Sequence, residues 1–184
     1  MSVVVLSGNP RVGSRTSAVA LELARALVAA GVPGGAGDPA GDGEIVAVEL
    51  ADLAGEVLTG GAATTAAREV VAGASLLVVA TPVYKGAYTG LLKAFLDTYA
   101  EGELGGVPTV ALVIAGKDGH LHAGETHLRP VLLEVGAALP APALALPQRL
   151  VGEHAGVLEE WVGRYGALLT ASSRAVTSPV AVPA

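Results

Sequence analysis

The sequence of 184 residues contains no cysteine and only six aromatic side chains. The absence of cysteine excludes disulfide bonds, thiolate metal ligands and thiol catalysis. Charged residues make up only 15% of the chain, and the formal net charge is -6, so the chain lacks the basic surface that nucleic-acid binding requires. The few basic residues are therefore expected to act singly, within a site.

Long apolar runs are also missing. No uninterrupted apolar stretch reaches the roughly 18 to 20 residues that a membrane-spanning helix needs. The N-terminus has no basic segment, since Met1 and Ser2 lead directly into three valines, and Asn9, Pro10 and Arg11 then interrupt the apolar run. These features predict a cytoplasmic protein that has no signal peptide and does not contact a membrane.

Apolar residues are nevertheless abundant, at 52% of the chain, which excludes intrinsic disorder. The length predicts one globular domain over residues 1–176, followed by a flexible tail over residues 177–184. A stretch rich in glycine and proline at residues 31–43 predicts a flexible connection within that domain.

Five short apolar runs predict strands, and stretches with helical spacing of apolar residues alternate with them. The strands are predicted at residues 3–6, 45–49, 76–80, 107–114 and 143–146, and the helices at 19–30, 63–72, 91–99, 128–139 and 158–169. Continuous apolar strands separated by helices indicate a doubly wound α/β domain with a parallel sheet covered on both faces. Ligands of such sheets bind beyond the carboxyl ends of the strands, so the loops after strands one, three and four are the places to examine.

The loop after the first strand, Gly-Asn-Pro-Arg-Val-Gly-Ser-Arg-Thr, carries hydroxyls and a guanidinium into the start of a helix. Free amides at a helix N-terminus bind anions, and Arg11, Ser14 and Thr16 add donors for a phosphate, preferably a monophosphate. The glycine spacing imitates a nucleoside-triphosphate loop, but Ser14 stands where that loop needs lysine, and the dinucleotide fingerprint is absent. The alternative is that Ser14 or Thr16 only caps the helix and Arg11 is a solvated loop residue.

The loop after the third strand contains two of the four tyrosines, Tyr84 and Tyr88. Pro82 stiffens the exit from the strand, and the flat face of Tyr84 suits a planar heterocycle. The alternative is that both rings pack under the loop with their hydroxyls at the surface.

The segments SGNPRVGSRT and VVATPVYKGAYTGLLKAFLD resemble the NAD(P)H-dependent FMN reductases of the flavodoxin-like superfamily. The resemblance is closest to the branch that supplies reduced flavin to alkanesulfonate monooxygenases. It implies a flavodoxin-like doubly wound five-stranded parallel sheet with strand order 2-1-3-4-5. It also implies FMN and either NADPH or NADH as cofactors, with hydride transfer directly between them and no catalytic side chain.

The resemblance implies specific contacts to FMN. It assigns the phosphate to Arg11, Ser14, Arg15 and Thr16, the borders of the isoalloxazine ring to Pro82, Val83, Tyr84 and Lys85, and a ring edge to Ala115, Gly116 and Lys117. Asn9 stands where the family usually has serine and is included among the contacts. Lys85 or Arg15 is expected to steer the phosphates of NADPH.

The implied partners are an FMNH2-dependent monooxygenase and further copies of the chain, as a homodimer or homotetramer. The helices after strands three and four form such interfaces in the family, and Leu92, Phe95, Leu96 and Tyr99 are expected to be shared between core and interface. The alternatives are a quinone, azo or metal-ion reductase that retains FMN, a flavodoxin-like electron carrier, and a phosphate-binding module without enzymatic activity.

The only cluster of metal-ligand types is His120, His122, Glu125 and His127. The two-residue step from His120 to His122 suits metal ligands on a strand, but this segment lies between a loop and a helix. No metal site is therefore predicted. Pro130 cannot donate a hydrogen bond to the carbonyl of Thr126, which predicts a kink or π-bulge over residues 126–130. In the family that the sequence resembles, the start of the corresponding helix can carry an inserted residue near the flavin and the oligomer interface. The resemblance implies that His127 or Thr126 is that residue here.

Overall fold

The computed structural model describes residues 2–32 and 44–177 of the chain, with side chains described as far as residue 172. The predicted tail therefore lies outside the described residues, apart from Thr177. The predicted glycine-rich connection also lies outside them, apart from Gly31 and Val32.

Five strands form one all-parallel sheet in the order β2-β1-β3-β4-β5, which confirms the predicted flavodoxin-like architecture. The strands are β1 Val3–Ser7, β2 Ile45–Glu49, β3 Leu76–Pro82, β4 Thr109–Ala115 and β5 Leu144–Pro147. The α-helices of the described residues are α1 Arg15–Ala29, α2 Leu50–Leu53, α3 Ala62–Ala72, α4 Gly90–Leu96, α5 Arg129–Glu134 and α6 Ala155–Thr177. Of these, α2 was not predicted, because its four residues are too few for a helical period to show.

Helices cover both faces of the sheet, so the central strands are buried throughout. Val3 and Val5 face α1 and α6, whereas Val4 and Leu6 face the layer that contains α3, α4 and α5. Burial on two faces removes the need for alternating polar residues, which explains the continuous apolar runs in the sequence. Within the described residues, no helix combines the length and the apolar character needed to cross a membrane.

The apolar face of α4 points into this core. Leu92, Phe95 and Leu96 are fully buried within the chain, and Tyr99 is nearly so. The expectation that these side chains are shared with an oligomer interface is therefore wrong. They belong to the buried apolar cluster that also contains Leu6 and Val79, so they fill the interior of the chain.

A π-helix over Gly124–Leu128 precedes α5 and confirms the predicted irregularity. The N–H of Arg129 donates to the carbonyl of Gly124, five residues earlier, which is the π-helical pattern. Gly124 permits close packing of this turn, since a Cβ there would lie 2.7 Å from the Cβ of Ala143 on the approach to β5.

The predicted continuation of α5 to residue 139 is wrong, because the helix ends at Glu134. Gly136 adopts a φ of 95°, a left-handed conformation that ends helices and favours glycine. A Cβ at Gly136 would also lie 2.8 Å from the backbone of Gly102. The apolar spacing that suggested a longer helix continues through Leu139 only because the following segment also packs on the core.

Tyr99 makes the stability of the fold sensitive to alkaline pH. Burial raises the pKa of the Tyr99 phenol, and the Arg68 guanidinium, 4.9 Å from the ring centroid, opposes this rise. Because the folded pKa exceeds the ordinary value of about 10, the contribution of Tyr99 to stability is fully present below about pH 10 and is lost as pH rises towards the folded pKa. We expect the free energy of unfolding in urea to fall above about pH 10.

Tyr99→Phe should flatten this alkaline loss, because phenylalanine has no proton to release. The variant also loses the hydrogen bond from the Tyr99 hydroxyl to the Arg68 carbonyl. Its free energy of unfolding should therefore be lower than that of wild type but should change less with pH. Part of the slope should remain, since burial also raises the pKa of Tyr88. An unchanged slope between wild type and variant would show that Tyr99 does not cause the loss.

Candidate functional site

The candidate site lies at the carboxyl edge of the sheet, between β1 and β3, where the strand order reverses. The two loops that carry the predicted contacts begin side by side, because the N–H of Gly8 donates to the carbonyl of Ala80 at 2.7 Å. Parallel sheets open a crevice for ligands at such a reversal. The structure therefore brings the loops after β1 and β3 to one place.

Asn9 shapes the first loop from within. Its side-chain oxygen accepts from the backbone N–H of Arg11 at 3.0 Å, and its side-chain nitrogen donates to the hydroxyl of Thr16 at 3.1 Å. Asn9 and Thr16 are both buried. These bonds close the loop over the start of α1, so the side chain of Asn9 is engaged inside the loop and that of Arg11 lies at the surface.

Helix α1 begins with a positive charge and with no acid of its own in the first turn. Ser14 caps the helix by accepting from the N–H of Ser17 at 3.2 Å, and the exposed Arg15 is the first helical residue. A cation at the positive end of a helix dipole is unfavourable unless an anion binds there. In the described part of the chain, neither Arg11 nor Arg15 forms an ion pair.

Ser14 does cap the helix, and this role is compatible with an anion site. A serine hydroxyl that accepts from a backbone amide keeps its own hydrogen to donate. Gly13, next to the cap, has a φ of 63°, and a Cβ there would meet nothing within 4 Å. The space beside Gly13 is therefore open.

Glu49 is an acid near this turn that sequence reasoning did not identify. It ends β2, and one of its carboxylate oxygens accepts from the hydroxyl of Ser17. The other oxygen is buried and has no hydrogen-bond partner among the described residues. Ser17 is separated from Glu49 by 32 residues, so no local sequence pattern could have revealed the pair.

The second loop is a tight hairpin that exposes Tyr84. The N–H of Tyr84 donates to the carbonyl of Ala87 at 2.8 Å, and the N–H of Ala87 donates back at 3.2 Å. Lys85 and Gly86, with φ values of 54° and 88°, form the two-residue turn. Because Tyr84 remains 46% exposed, the alternative that its ring packs under the loop is wrong.

The four residues predicted to border a flavin ring differ in accessibility. Pro82 and Val83 are buried, and the N–H of Val83 donates to the carbonyl of Ile114 at 2.8 Å. Tyr84 and Lys85 reach the surface. The first two residues thus anchor the hairpin to the sheet, and the side chains of the last two are accessible from solvent.

Lys85 adopts a strained backbone conformation, which gives a testable prediction. A left-handed φ costs a residue with a Cβ about 1 kcal/mol, so Lys85→Gly should raise the free energy of unfolding by up to about 1 kcal/mol. Lys93→Gly is the matched control, because Lys93 lies within α4, and there glycine should cost about 1 kcal/mol. Urea unfolding measures both variants, and a loss of stability in Lys85→Gly would refute the strain.

The predicted third loop follows β4. Ala115 is buried at the end of the strand, whereas Gly116 and Lys117 are exposed. Asp118 forms an ion pair with Arg149, which ties this loop to the segment after β5. Of the three predicted contacts, two have exposed atoms, Gly116 and Lys117. Ala115 is buried and holds these two residues at the end of the strand.

Thr89 is a further residue of the site that sequence reasoning missed. Its hydroxyl donates to the carbonyl of Gly8 at 2.6 Å and accepts from the N–H of Leu92 at 3.2 Å. A threonine directly before an apolar helix is a recognised capping signal, and the cap of α4 could have been predicted from it. The bond to Gly8 could not, since the two residues are 81 positions apart.

The histidine cluster does not assemble into a metal site. The rings of His122 and His127 lie 6.4 Å apart, and Glu125 is engaged by Arg129 and by the N–H of Ala143. Across residues 2–32 and 44–177, no group of three or more potential ligands could hold a metal ion.

A cavity of about 230 Å³ lies between the start of β5 and α6 and contains none of the predicted site residues. Its walls include Leu144, Trp161 and Tyr165. It is distinct from the candidate site between β1 and β3.

Comparison with known proteins links this geometry to a family. A family model described as "NADPH-dependent FMN reductase" matches residues 1–150. "FMN reductase (NADPH)" of Escherichia coli strain K12 is 37% identical over 136 residues, which are 72% of this chain and 65% of that protein. "NADH-dependent FMN reductase SfnF" of Pseudomonas putida is 40% identical over 58 residues, which are 32% of this chain and 31% of that protein. The chain thus spans less than two thirds of the length of these curated relatives.

Solved structures give the same fold. The apo form of an NADH:FMN oxidoreductase is 27% identical, with a TM-score of 0.73 over 97% of this chain and 91% of that chain. An oxidoreductase from Corynebacterium diphtheriae is 24% identical, with a TM-score of 0.76 over 95% of this chain and 98% of that chain. The second likeness concerns the fold alone.

Proposed function

The chain belongs to the NADPH-dependent FMN reductase family, and from that premise we propose that it transfers a hydride from NADPH or NADH to FMN. The observation that carries this proposal is the pairing, at one edge of the sheet, of a cationic helix N-terminus with an exposed tyrosine. Arg15 begins α1 without an acid in its first turn, and Tyr84 stands on the adjacent hairpin. The phosphate of a flavin mononucleotide suits the cationic helix N-terminus, and its flat ring suits the face of the tyrosine.

The residues at this edge fit FMN. The open space beside Gly13 leaves room for a phosphate, and no described acid forms an ion pair with Arg11 or Arg15. Four residues would bind the phosphate (Arg11, Ser14, Arg15 and Thr16), with Asn9 shaping their loop. Seven would surround the ring (Pro82, Val83, Tyr84, Lys85, Ala115, Gly116 and Lys117), the buried ones as supports.

The proposed reaction demands little acid–base chemistry from the chain. When bound, FMN supplies the redox chemistry, because its ring accepts the hydride of a reduced nicotinamide. The predicted site residues include no carboxylate and no imidazole. Their work is to hold the phosphate, to support the ring along Tyr84 and to place Lys85 beside the mouth of the site, where a cation attracts a phosphorylated nicotinamide.

We also propose that reduced FMN leaves the site for a partner monooxygenase. Exposure of Arg11, Arg15 and Tyr84 supports this proposal, because a ligand held by surface loops exchanges more readily than one sealed in the core. The resemblance of the SGNPRVGSRT segment to alkanesulfonate systems suggests the class of partner.

We further propose that residues 1–176 form one cytoplasmic domain, which assembles as a homodimer or homotetramer. Leu133 on α5, 55% exposed, is an apolar side chain available for such contacts.

Stopped-flow absorbance tests the proposal with NADPH, NADH, FMN and FAD. We expect rapid nicotinamide oxidation with FMN, slower oxidation with FAD and almost none without flavin. The alternatives have distinct outcomes. FMN that survives dialysis and passes electrons to a quinone, azo dye or ferric complex would indicate a reductase that retains its flavin. Bound FMN that nicotinamides do not reduce would indicate an electron carrier, and no FMN binding at micromolar concentration would leave a phosphate-binding module.

A further inference from the structure

Thr89 joins the two halves of the candidate site through one buried hydroxyl. The residue is only 4% exposed and lies between the loop after β3 and the start of α4. Its hydroxyl donates to the carbonyl of Gly8 in the first loop, at 2.6 Å, and accepts from the N–H of Leu92. Both hydrogen-bonding functions of the hydroxyl are therefore in use.

The backbone of Thr89 extends this connection to the second loop. Its N–H donates to the hydroxyl of Thr81 at 3.3 Å, and that hydroxyl donates to the carbonyl of Pro82 at 3.0 Å. Thr81 is fully buried. A continuous hydrogen-bonded path thus runs from Gly8, where the phosphate loop begins, to Pro82, where the hairpin begins.

The bond to Gly8 also fixes the direction of the phosphate loop. The peptide unit between Gly8 and Asn9 is planar and trans, so holding its carbonyl towards Thr89 turns the N–H of Asn9 the opposite way. Asn9 in turn bonds to Arg11 and Thr16. The orientation set at Gly8 is therefore passed on to the residues that surround the start of α1.

We propose that Thr89 is a positioning residue that aligns the phosphate loop with the ring hairpin, so that a flavin mononucleotide binds at both ends at once. This inference rests on the proposed function, because it takes FMN as the ligand. Two linked binding elements gain affinity only when their spacing matches the ligand. Losing the Thr89 hydroxyl should therefore weaken a ligand that spans both loops more than a ligand that contacts only one.

The experiment compares FMN with lumichrome, whose tricyclic alloxazine ring has the size and flat shape of the flavin ring but carries no ribityl chain or phosphate. In Thr89→Val, which preserves the shape but not the hydroxyl, we expect the dissociation constant of FMN to rise about tenfold. Lumichrome should bind within about twofold of wild type, because the cross-turn bonds between Tyr84 and Ala87 do not involve the hydroxyl. Thr89→Ser should restore FMN binding.

Thr89→Cys provides a second variant if the valine variant does not fold, since a thiol donates and accepts hydrogen bonds more weakly than a hydroxyl. An affinity ratio of FMN to lumichrome that stays at the wild-type value in the folded valine or cysteine variant would overturn the inference, even if the melting temperature falls. A merely structural role predicts that result. Wild-type protein that does not bind FMN would instead refute the proposed function, so the two failures are distinguishable.

Discussion

Replacing Arg11 by alanine is expected to raise the dissociation constant of FMN by about tenfold to a hundredfold, because a charge-assisted hydrogen bond to phosphate contributes about 1.5 to 3 kcal/mol. Arg11 lies exposed on the loop that Asn9 closes over the start of α1, and no described acid competes for its guanidinium. Riboflavin has the same ring and ribityl chain but no phosphate. Its affinity should therefore stay within about twofold of wild type.

Fluorescence titration of both flavins measures this difference. Arg25→Ala is the matched control. Arg25 is an exposed arginine of α1 that lies ten residues beyond Arg15 and therefore away from the phosphate loop. This variant should leave both affinities unchanged. Arg11→Lys should give an intermediate loss, because lysine keeps the charge but lacks the planar pair of donors. Equal losses of FMN and riboflavin affinity in Arg11→Ala would show that the loop does not bind the phosphate.

The strands and their order could be predicted because burial on two faces leaves a direct mark in the sequence. Ile45–Glu49 was predicted at its exact bounds, and β1 and β3 extend the predicted runs by one or two residues. The carboxyl ends of these strands were then the expected place for a ligand site, since parallel sheets bind ligands there. Strand order came from the family resemblance, because no local pattern encodes which strands are neighbours.

The two loops of the candidate site could also be predicted, since the candidate residues of each loop are neighbours in the sequence. Ser14, Arg15 and Thr16 stand at the start of a helix, and Tyr84 follows a strand directly. The contacts between loops could not be predicted in the same way. Thr89 meets Gly8, and Ser17 meets Glu49, only because the fold brings distant segments together.

The end of α5 illustrates the same limit. The apolar spacing through Leu139 satisfied a helical period, yet the helix ends at Glu134, and Gly136 follows in a left-handed conformation where a Cβ would lie 2.8 Å from the backbone of Gly102. The π-helix before α5 was predictable for the opposite reason. The signal that predicted it, the missing N–H of Pro130, is a property of one residue and is visible without any distant partner.

Gly8→Ala is expected to disrupt the site from its base. A Cβ at Gly8 would lie 2.8 Å from the Cβ of Leu92 and 3.1 Å from its Cδ2. Leu92 is fully buried in α4 and has no free space to move into, while the backbone of Gly8 is held by bonds to Ala80 and Thr89. Overpacking of this kind costs about 1 to 3 kcal/mol, and we expect a loss of unfolding free energy in that range.

The same clash should weaken FMN binding by about tenfold or more, because either the phosphate loop or the start of α4 must shift to relieve it. Gly90→Ala is the matched control, since a Cβ at Gly90, the first residue of α4, would meet nothing within 4 Å. Alanine there should leave FMN affinity unchanged and stabilise the helix slightly. Urea unfolding and FMN titration of both variants decide the matter. Wild-type stability and affinity in Gly8→Ala would show that the loop after β1 tolerates a side chain at its base and is not held against α4 as described.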